Sequence, residues 1–129
     1  MLGDRRCAAM VPASDFERAK QWYADKLGLK PFDETPAGAD YQGSDGSGFS
    51  VYPSQFAGTN QATAMAWLVP DINAEIEELK SRGVTFEEYD IPGVKTVGGV
   101  AELTPDEKAA WFKDSEGNIL AIFESPRYK

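Results

Sequence analysis

The chain has 129 residues, of which 42% are hydrophobic, and this composition suits one folded domain over residues 1–129. The chain has 13 Lys and Arg and 21 Asp and Glu, which gives a net charge of −8. Because an acidic surface repels phosphates and anionic lipids, neither nucleic acid nor a membrane is an expected partner. No apolar run approaches the roughly 20 residues of a membrane span, and the N-terminus has charges in place of a signal core, so a cytoplasmic location is expected.

The first element is an apolar run, Cys7–Val11, which predicts a strand. Cys7 is the only cysteine, so it cannot form an internal disulfide, and we expect a small buried side chain. The chain has no histidine, which excludes Ser-His-Asp and Cys-His catalytic centres.

A helix is predicted next, over residues 14–28. Ser14 followed three residues later by Glu17 has the spacing of a capping box. Gly28 can adopt the left-handed conformation that ends a helix. Four residues recur at helical spacing and are predicted to form one buried face: Phe16, Ala19, Tyr23 and Leu27.

Three strand candidates follow this helix, separated by Gly, Asp and Ser residues typical of turns. They are Leu29–Phe32, Ala39–Gln42 and Gly48–Tyr52. The segment Pro53–Asn60 is then predicted to be a linker to the second half of the chain.

The same order of elements repeats in the second half. A strand is predicted over Thr63–Val69, and a helix capped by Asp71 ends at Gly83. These two positions lie 56 and 55 residues after Asp15 and Gly28. The later strand candidates are Val84–Tyr89, Lys108–Lys113 and Ile119–Glu124. The chain is therefore predicted to contain two βαβββ units, at about residues 5–55 and 61–126.

The second unit is longer than the first because of a Gly-rich, partly apolar segment, residues 92–107. Such a segment is typical of a lid over a pocket. The alternative is a surface loop that contains one short strand.

This duplicated pattern resembles the glyoxalase/bleomycin-resistance/extradiol-dioxygenase superfamily, also called the vicinal oxygen chelate fold. The residues that carry the resemblance are Val11–Ala19, Trp22-Tyr23, Leu27–Leu29, Val69–Ile72, Leu79–Val84 and Trp111–Leu120. The resemblance implies an α+β fold in which two tandem βαβββ units form an incompletely closed eight-stranded cup around a ligand. It also implies a homodimer.

In metal-dependent relatives, four strand positions supply His, Gln or Glu ligands. By this resemblance the positions fall on Ala8, near Ser50, on Ala64 and on Ala121. Alanine has no donor atom and a serine hydroxyl is a poor ligand for a catalytic divalent metal. We therefore expect no metal and no cofactor, and no glyoxalase I or dioxygenase activity of the family type. An all-carboxylate site among Glu75, Glu77, Glu78, Glu87, Glu88 and Asp90 is the alternative, although their spacing favours a solvated face.

Side chains alternate along a strand, so the residues that share the face of these four positions can be predicted. Tyr41 and Trp111 are added as aromatic walls or rims, and Trp67 is expected to point away, toward its helix. Ile119 shares the predicted face. The candidate pocket residues are Ala8, Met10, Tyr41, Ser50, Tyr52, Ala64, Ala66, Leu68, Trp111, Ala121 and Phe123.

Three functions are compatible with such a cup. A metal-free binding protein would hold a small, mostly apolar or aromatic molecule, as in sequestration or resistance. A metal-free isomerase or lyase would need a general acid or base, with Tyr41, Tyr52 or Glu102 as candidates, and no catalytic residue is singled out. A structural module would have a filled cup.

Overall fold

The computed structural model describes residues 1–126. The described residues form two helices, α1 (Phe16–Leu27) and α2 (Ile72–Ser81), and ten strands. The strands are β1 (Ala9–Ala13), β2 (Asp33–Thr35), β3 (Gly38–Gln42), β4 (Gly48–Pro53), β5 (Thr63–Leu68), β6 (Asp90–Ile91), β7 (Val94–Val97), β8 (Val100–Thr104), β9 (Glu107–Lys113) and β10 (Ile119–Glu124). No helix within these residues is both long enough and apolar enough to cross a membrane.

The strands form two open sheets with matching connections. Unit one forms a sheet of order β1-β4-β3-β2, in which β1 runs parallel to β4. Unit two forms a sheet of order β5-β10-β9-β8-β7-β6, in which β5 runs parallel to β10. The remaining neighbours are antiparallel. The predicted α+β fold of two tandem units is confirmed, with more strands than the expected eight.

The additional strands come from residues 92–107. They contribute β7 and β8, a hairpin that extends the second sheet, where at most one short strand was expected. The backbone amide of Thr96 donates to the Tyr89 carbonyl at 2.9 Å, and the Tyr89 amide donates to Thr96 Oγ1 at 2.8 Å. These bonds fix the hairpin to the chain that precedes it.

Both helices begin at an aspartate cap. Asp15 accepts a hydrogen bond from the Arg18 amide at 3.1 Å, so the prediction that Ser14 caps α1 is wrong. Ser14 Oγ donates to Glu116 instead. The predicted cap of α2 is correct, because Asp71 accepts from two amides in the first turn. Gly28 ends α1 with φ of 68°, the left-handed conformation expected of it.

Three other predictions of local structure are corrected. The strand predicted at Leu29–Phe32 forms later, at β2, because the Leu29 amide completes the end of α1 by donating to the Tyr23 carbonyl. Val84–Tyr89 contributes a single bridge to β9 and no continuous strand. Cys7 is exposed and precedes β1, so it is not a buried strand residue.

One hydrophobic core is shared by both units. It contains Tyr23 from α1, Phe49 from β4 and Phe112 from β9, all buried. Trp67 of β5 packs against this core, as predicted, with its ring centroid 5.9 Å from that of Phe49. Side chains from the two halves therefore stabilise each other.

The turn between β9 and β10 joins the units through polar contacts. Glu116, whose side chain is fully buried, accepts hydrogen bonds from the Asp15 amide at 2.8 Å and from the Arg18 guanidinium at 2.8 and 3.2 Å. Burial alone would raise the pKa of Glu116, but the Arg18 and Asp15 hydrogen bonds outweigh it and lower the pKa to about 2. The charged carboxylate thus holds the start of α1 against unit two.

Candidate functional site

Strand alternation divides each sheet into a face toward the helices and an opposite face, which we call the cup face. In unit one the buried residues Val11 and Val51 point toward the helices. Met10 and Ser50 therefore point to the cup face, where they are register partners in β1 and β4. Met10 is 59% exposed, so this face is open to solvent in the single chain.

A depression of about 250 Å³ lies at one end of the unit-one sheet, beside the β3–β4 turn, and includes Asp40 and Ser50 of the cup face. It brings together three of the predicted pocket residues, Ala8, Tyr41 and Ser50. Ala8 comes from the segment that precedes β1, and Ser50 from the middle of β4. The volume is enough for one small molecule, since an apolar cavity of about 150 Å³ accommodates benzene.

The polar groups of the depression include two charges. The Ser50 hydroxyl donates a hydrogen bond to the carboxylate of Asp40, its register partner in β3. Arg6 extends over Gly46 and donates to its carbonyl at 3.1 Å. Phe32, which is 65% exposed, adds an apolar edge. A ligand here would meet a cation, an anion and an aromatic ring within one small volume.

Several lining residues were not predicted from the sequence, among them Arg6, Phe32 and Asp40. Asp40 could have been recognised, because it lies between the buried residues Ala39 and Tyr41 and therefore alternates onto the face of Ser50. Arg6 and Phe32 precede their strands, and no periodicity places such residues.

Tyr41 contributes to the lining in a different way from the one expected. Its side chain is only 2% exposed and its ring stacks on Phe49 in the core, at 4.8 Å between centroids, so it is not an open wall of the cup. Burial, with the nearby Glu34, raises the pKa of Tyr41, and Lys20 offsets this in part. The phenol therefore stays protonated at neutral pH, and it is poorly suited to act as a base.

In unit two the cup face carries small residues beside larger ones. Ala66 and Ala121 are register partners in β5 and β10, and Trp111 is the partner of Ala121 in β9. The Trp111 indole donates to Thr63 Oγ1 at 3.0 Å, and its ring meets that of Tyr89 edge to face. Trp111 is thus held in place on this face.

The remaining candidates on the cup face line neither the depression nor the two other main clefts within residues 1–126. These candidates are Met10, Tyr52, Ala64, Ala66, Trp111, Ala121 and Phe123. Leu68 borders a cleft on the helix side. Glu102, a candidate acid or base, lies on β8 in a cleft that Lys95 of β7 and Lys108 of β9 also line, apart from the depression. The structure thus brings together three of the five unit-one candidates, Ala8, Tyr41 and Ser50, and none of those in unit two.

The amino-acid sequence matches the profile of the Glyoxalase/Bleomycin resistance protein/Dioxygenase superfamily over residues 7–122. The match includes both units. The chain belongs to this superfamily. A comparison with curated proteins finds no match.

Several solved structures share the fold. One is a glyoxalase/bleomycin resistance protein from Catenulispora acidiphila, with 24% identity, coverage of 94% of this chain and 98% of that chain, and a TM-score of 0.65. Another is TnmS3, an antibiotic binding protein from Streptomyces sp. CB03234, with 22% identity, coverage of 94% and 95%, and a TM-score of 0.63. A third is the oxidase ChaP-H2, with 20% identity, coverage of 95% and 94%, and a TM-score of 0.65. At these identities the likeness establishes the fold alone.

The positions that the resemblance assigns to metal ligands carry no carboxylate or imidazole. Ala8, Ala64 and Ala121 have methyl groups, and the hydroxyl of Ser50 is engaged with Asp40. Within residues 1–126, no three Asp, Glu or Cys side chains come together as potential ligands. The acidic residues of α2 are no exception, since Glu78 pairs with Arg82 at 3.0 Å. The residues present offer a divalent metal no donor set of the family type.

Proposed function

We propose that this member of the superfamily binds a small, mostly apolar or aromatic molecule without a metal, in the manner of a sequestration or resistance protein. The depression on unit one, where Ala8 and Ser50 meet, is the observation that carries the proposal. The residue types at the metal positions support binding without a metal, because methyl groups enlarge a pocket and donate no electron pair.

The lining of the depression indicates which features the ligand would have. Phe32 and Ala8 offer apolar contact, which favours a ring or an alkyl group. Arg6 and Asp40 offer one positive and one negative partner. A planar ligand with a hydrogen-bonding substituent would satisfy both kinds of group, as is usual for pockets of soluble proteins.

The likeness to TnmS3 supports a ligand of the antibiotic type. That protein is an antibiotic binding protein with the same fold over nearly the whole chain. The net charge of −8 adds an attraction for cationic molecules at long range. These observations favour screening cationic and aromatic antibiotics first.

We also propose that the protein acts as a homodimer, in the cytoplasm. Met10 on the cup face is 59% exposed, although it is a large apolar side chain. Pairing of this face with that of a second copy would remove the Met10 side chain from water, at roughly 25 cal/mol per Å² of apolar surface. Size-exclusion chromatography with light scattering tests the proposal, and a monomer at every concentration would contradict it.

The binding proposal is tested by a thermal-shift screen followed by protection of Cys7. A specific ligand stabilises the folded state and raises the melting temperature. Cys7 is the only cysteine, it is exposed, and it lines the depression. Alkylation by iodoacetamide therefore modifies one site, and mass spectrometry gives its rate. A ligand in the depression should slow this alkylation rate in proportion to the fraction of protein that has ligand bound.

The control is a Cys7→Ser variant, which should respond to the same ligands in the thermal-shift assay if the thiol itself takes no part in binding. Ligands that raise the melting temperature but leave the alkylation rate of Cys7 unchanged would place the site elsewhere. In that outcome the assignment of the depression would be wrong.

A further inference from the structure

A second cleft lies on the helix side of the sheets, away from the depression. It has a volume of about 210 Å³ and separates the end of α1 from α2. Leu27 borders it on the side of α1, and Leu79 on the side of α2. Trp67, Phe112 and Ile122 contribute from the second sheet. The cleft therefore lies between the two units, next to their shared core.

The partly exposed ring of Trp67 gives this cleft an aromatic wall, and the buried ring of Phe112 supports it from the core. Trp67 and Phe112 lie nearly parallel, with 13° between their planes and 6.5 Å between their centroids. Leu79 and Ile122 add buried aliphatic surface on either side. Such a surface suits a single aromatic ring, and the volume exceeds the about 150 Å³ that holds benzene.

One charged residue, Glu75, borders the same cleft. It lies on α2 and is half-buried. No cation and no hydrogen-bond donor of residues 1–126 contacts its carboxylate. By contrast, Glu78 on the same helix is paired with Arg82. A carboxylate at the edge of an apolar cleft, without a partner from the described chain, provides charge complementarity for a cation.

We propose that this cleft is a second ligand site, for a small molecule with one aromatic ring and an ammonium group. The ring lies against Trp67, and the ammonium group pairs with Glu75. An ammonium group near an aromatic face is also attracted by the ring itself. The site is separate from the depression on unit one and does not depend on the function proposed for it.

Benzylamine is a suitable probe, because it has one ring and one ammonium group at neutral pH. Benzyl alcohol is its neutral counterpart of nearly equal size. With carbon-13-labelled methyl groups, NMR titration should move the signals of Leu79 and Ile122 at millimolar benzylamine, the range expected for a fragment of this size. The signal of Met10, on the cup face, should not move.

Two matched variants test the charge. Glu75→Gln should weaken benzylamine binding about two- to five-fold and leave benzyl alcohol binding unchanged, because a partly exposed ion pair contributes modestly. Glu77→Gln removes an exposed carboxylate from the same helix and should change neither affinity. Benzylamine should also leave the alkylation rate of Cys7 unchanged, which separates this site from the depression.

The proposal is overturned if the Leu79 and Ile122 signals stay in place at millimolar benzylamine. It is also overturned if benzyl alcohol binds as tightly as benzylamine, or if Glu75→Gln has no effect on benzylamine. Either of the last two results would mean that the carboxylate does not select the ligand.

Discussion

The phenol of Tyr23 donates a 2.8 Å hydrogen bond to the carboxylate of Asp114. Tyr23 is buried on α1 of unit one, and Asp114 is buried in the β9–β10 turn of unit two. The same carboxylate accepts from the Glu116 and Asn118 amides, both at 2.9 Å. The Asn118 side chain in turn donates to the Pro12 carbonyl at 2.7 Å. One turn thus links the two units through buried polar contacts.

Replacing Tyr23 with Phe should destabilise the protein by about 1–3 kcal/mol, because the substitution keeps the ring and leaves a buried carboxylate without one of its donors. Urea unfolding monitored by circular dichroism measures the change in free energy. Tyr52→Phe is the control, since the described residues give the Tyr52 hydroxyl no hydrogen-bond partner. Equal effects of the two substitutions would mean that the link to Asp114 adds no stability.

Glu116 should make the stability fall at acid pH. Its pKa is about 2 in the folded protein against 4.5 for an ordinary glutamate, so the folded state favours the charged form. The stabilisation, about 3 kcal/mol at 1.36 kcal/mol per pH unit, is complete above pH 4.5 and is lost as the pH falls toward 2. Urea unfolding at pH 6 and pH 3 should show about 2 kcal/mol of this loss, since pH 3 is still above the folded pKa.

The variant Glu116→Gln should be less stable than the wild type at pH 6 and lose less stability between pH 6 and pH 3. Glu77→Gln, at an exposed position, should keep the wild-type dependence on pH. An unchanged pH dependence in Glu116→Gln would show that other carboxylates cause the acid sensitivity.

The repeated order of elements was predictable because it depends on local patterns. Helix periodicity, the Asp71 cap and the left-handed Gly28 are all visible within short stretches of sequence. Strand alternation also placed Trp67 on the core side and Met10 and Ser50 on the opposite face.

The remaining features depend on contacts between distant residues. Ser14 has the sequence signature of a cap, but its hydroxyl bonds to Glu116, 102 residues away. Tyr41 looked like a pocket wall, but aromatic packing from α1 and β4 encloses it. The depression also depends on Arg6, whose position over Gly46 no local pattern predicts.

Filling the candidate pocket should prevent ligand binding. Once the screen has identified a ligand, Ala8→Trp should abolish its binding, because the indole occupies the depression on unit one. Ala64→Trp should do the same if the cup face of unit two closes over the ligand. Calorimetry measures both affinities, with Ala74→Trp, an exposed position on α2, as the control.

The pair of variants separates two arrangements. Loss of binding in Ala8→Trp alone would confine the site to the depression, and loss in Ala64→Trp alone would move it to unit two. Retained binding in both variants would contradict the pocket assignment.

Metal should be neither retained nor required. Protein produced with nickel, zinc, manganese and iron in the medium should contain well below one equivalent of metal by mass spectrometry, because the family positions lack donors. One equivalent of a single metal would contradict this prediction and would direct attention to a site built from carboxylates. A chelator should leave the affinity for the identified ligand unchanged.

Thr96→Val should loosen the β7–β8 hairpin without affecting the core. The substitution removes the hydroxyl that accepts from the Tyr89 amide, so local opening should require less free energy. Hydrogen-exchange mass spectrometry should show faster exchange in residues 94–104 and unchanged exchange in β10. Unchanged exchange in the hairpin would indicate that strand pairing with β9 alone holds it in place.

The β9–β10 turn also bears on the history of the duplicated chain. Its counterpart in unit one, residues 43–47, connects β3 to β4 and is largely exposed. Only the second copy has the carboxylates that bind α1 of the first copy. The halves have therefore diverged into complementary partners. A chain made of two first halves would lack the carboxylates of Asp114 and Glu116. A chain made of two second halves would lack Tyr23 and Arg18, which donate hydrogen bonds to them.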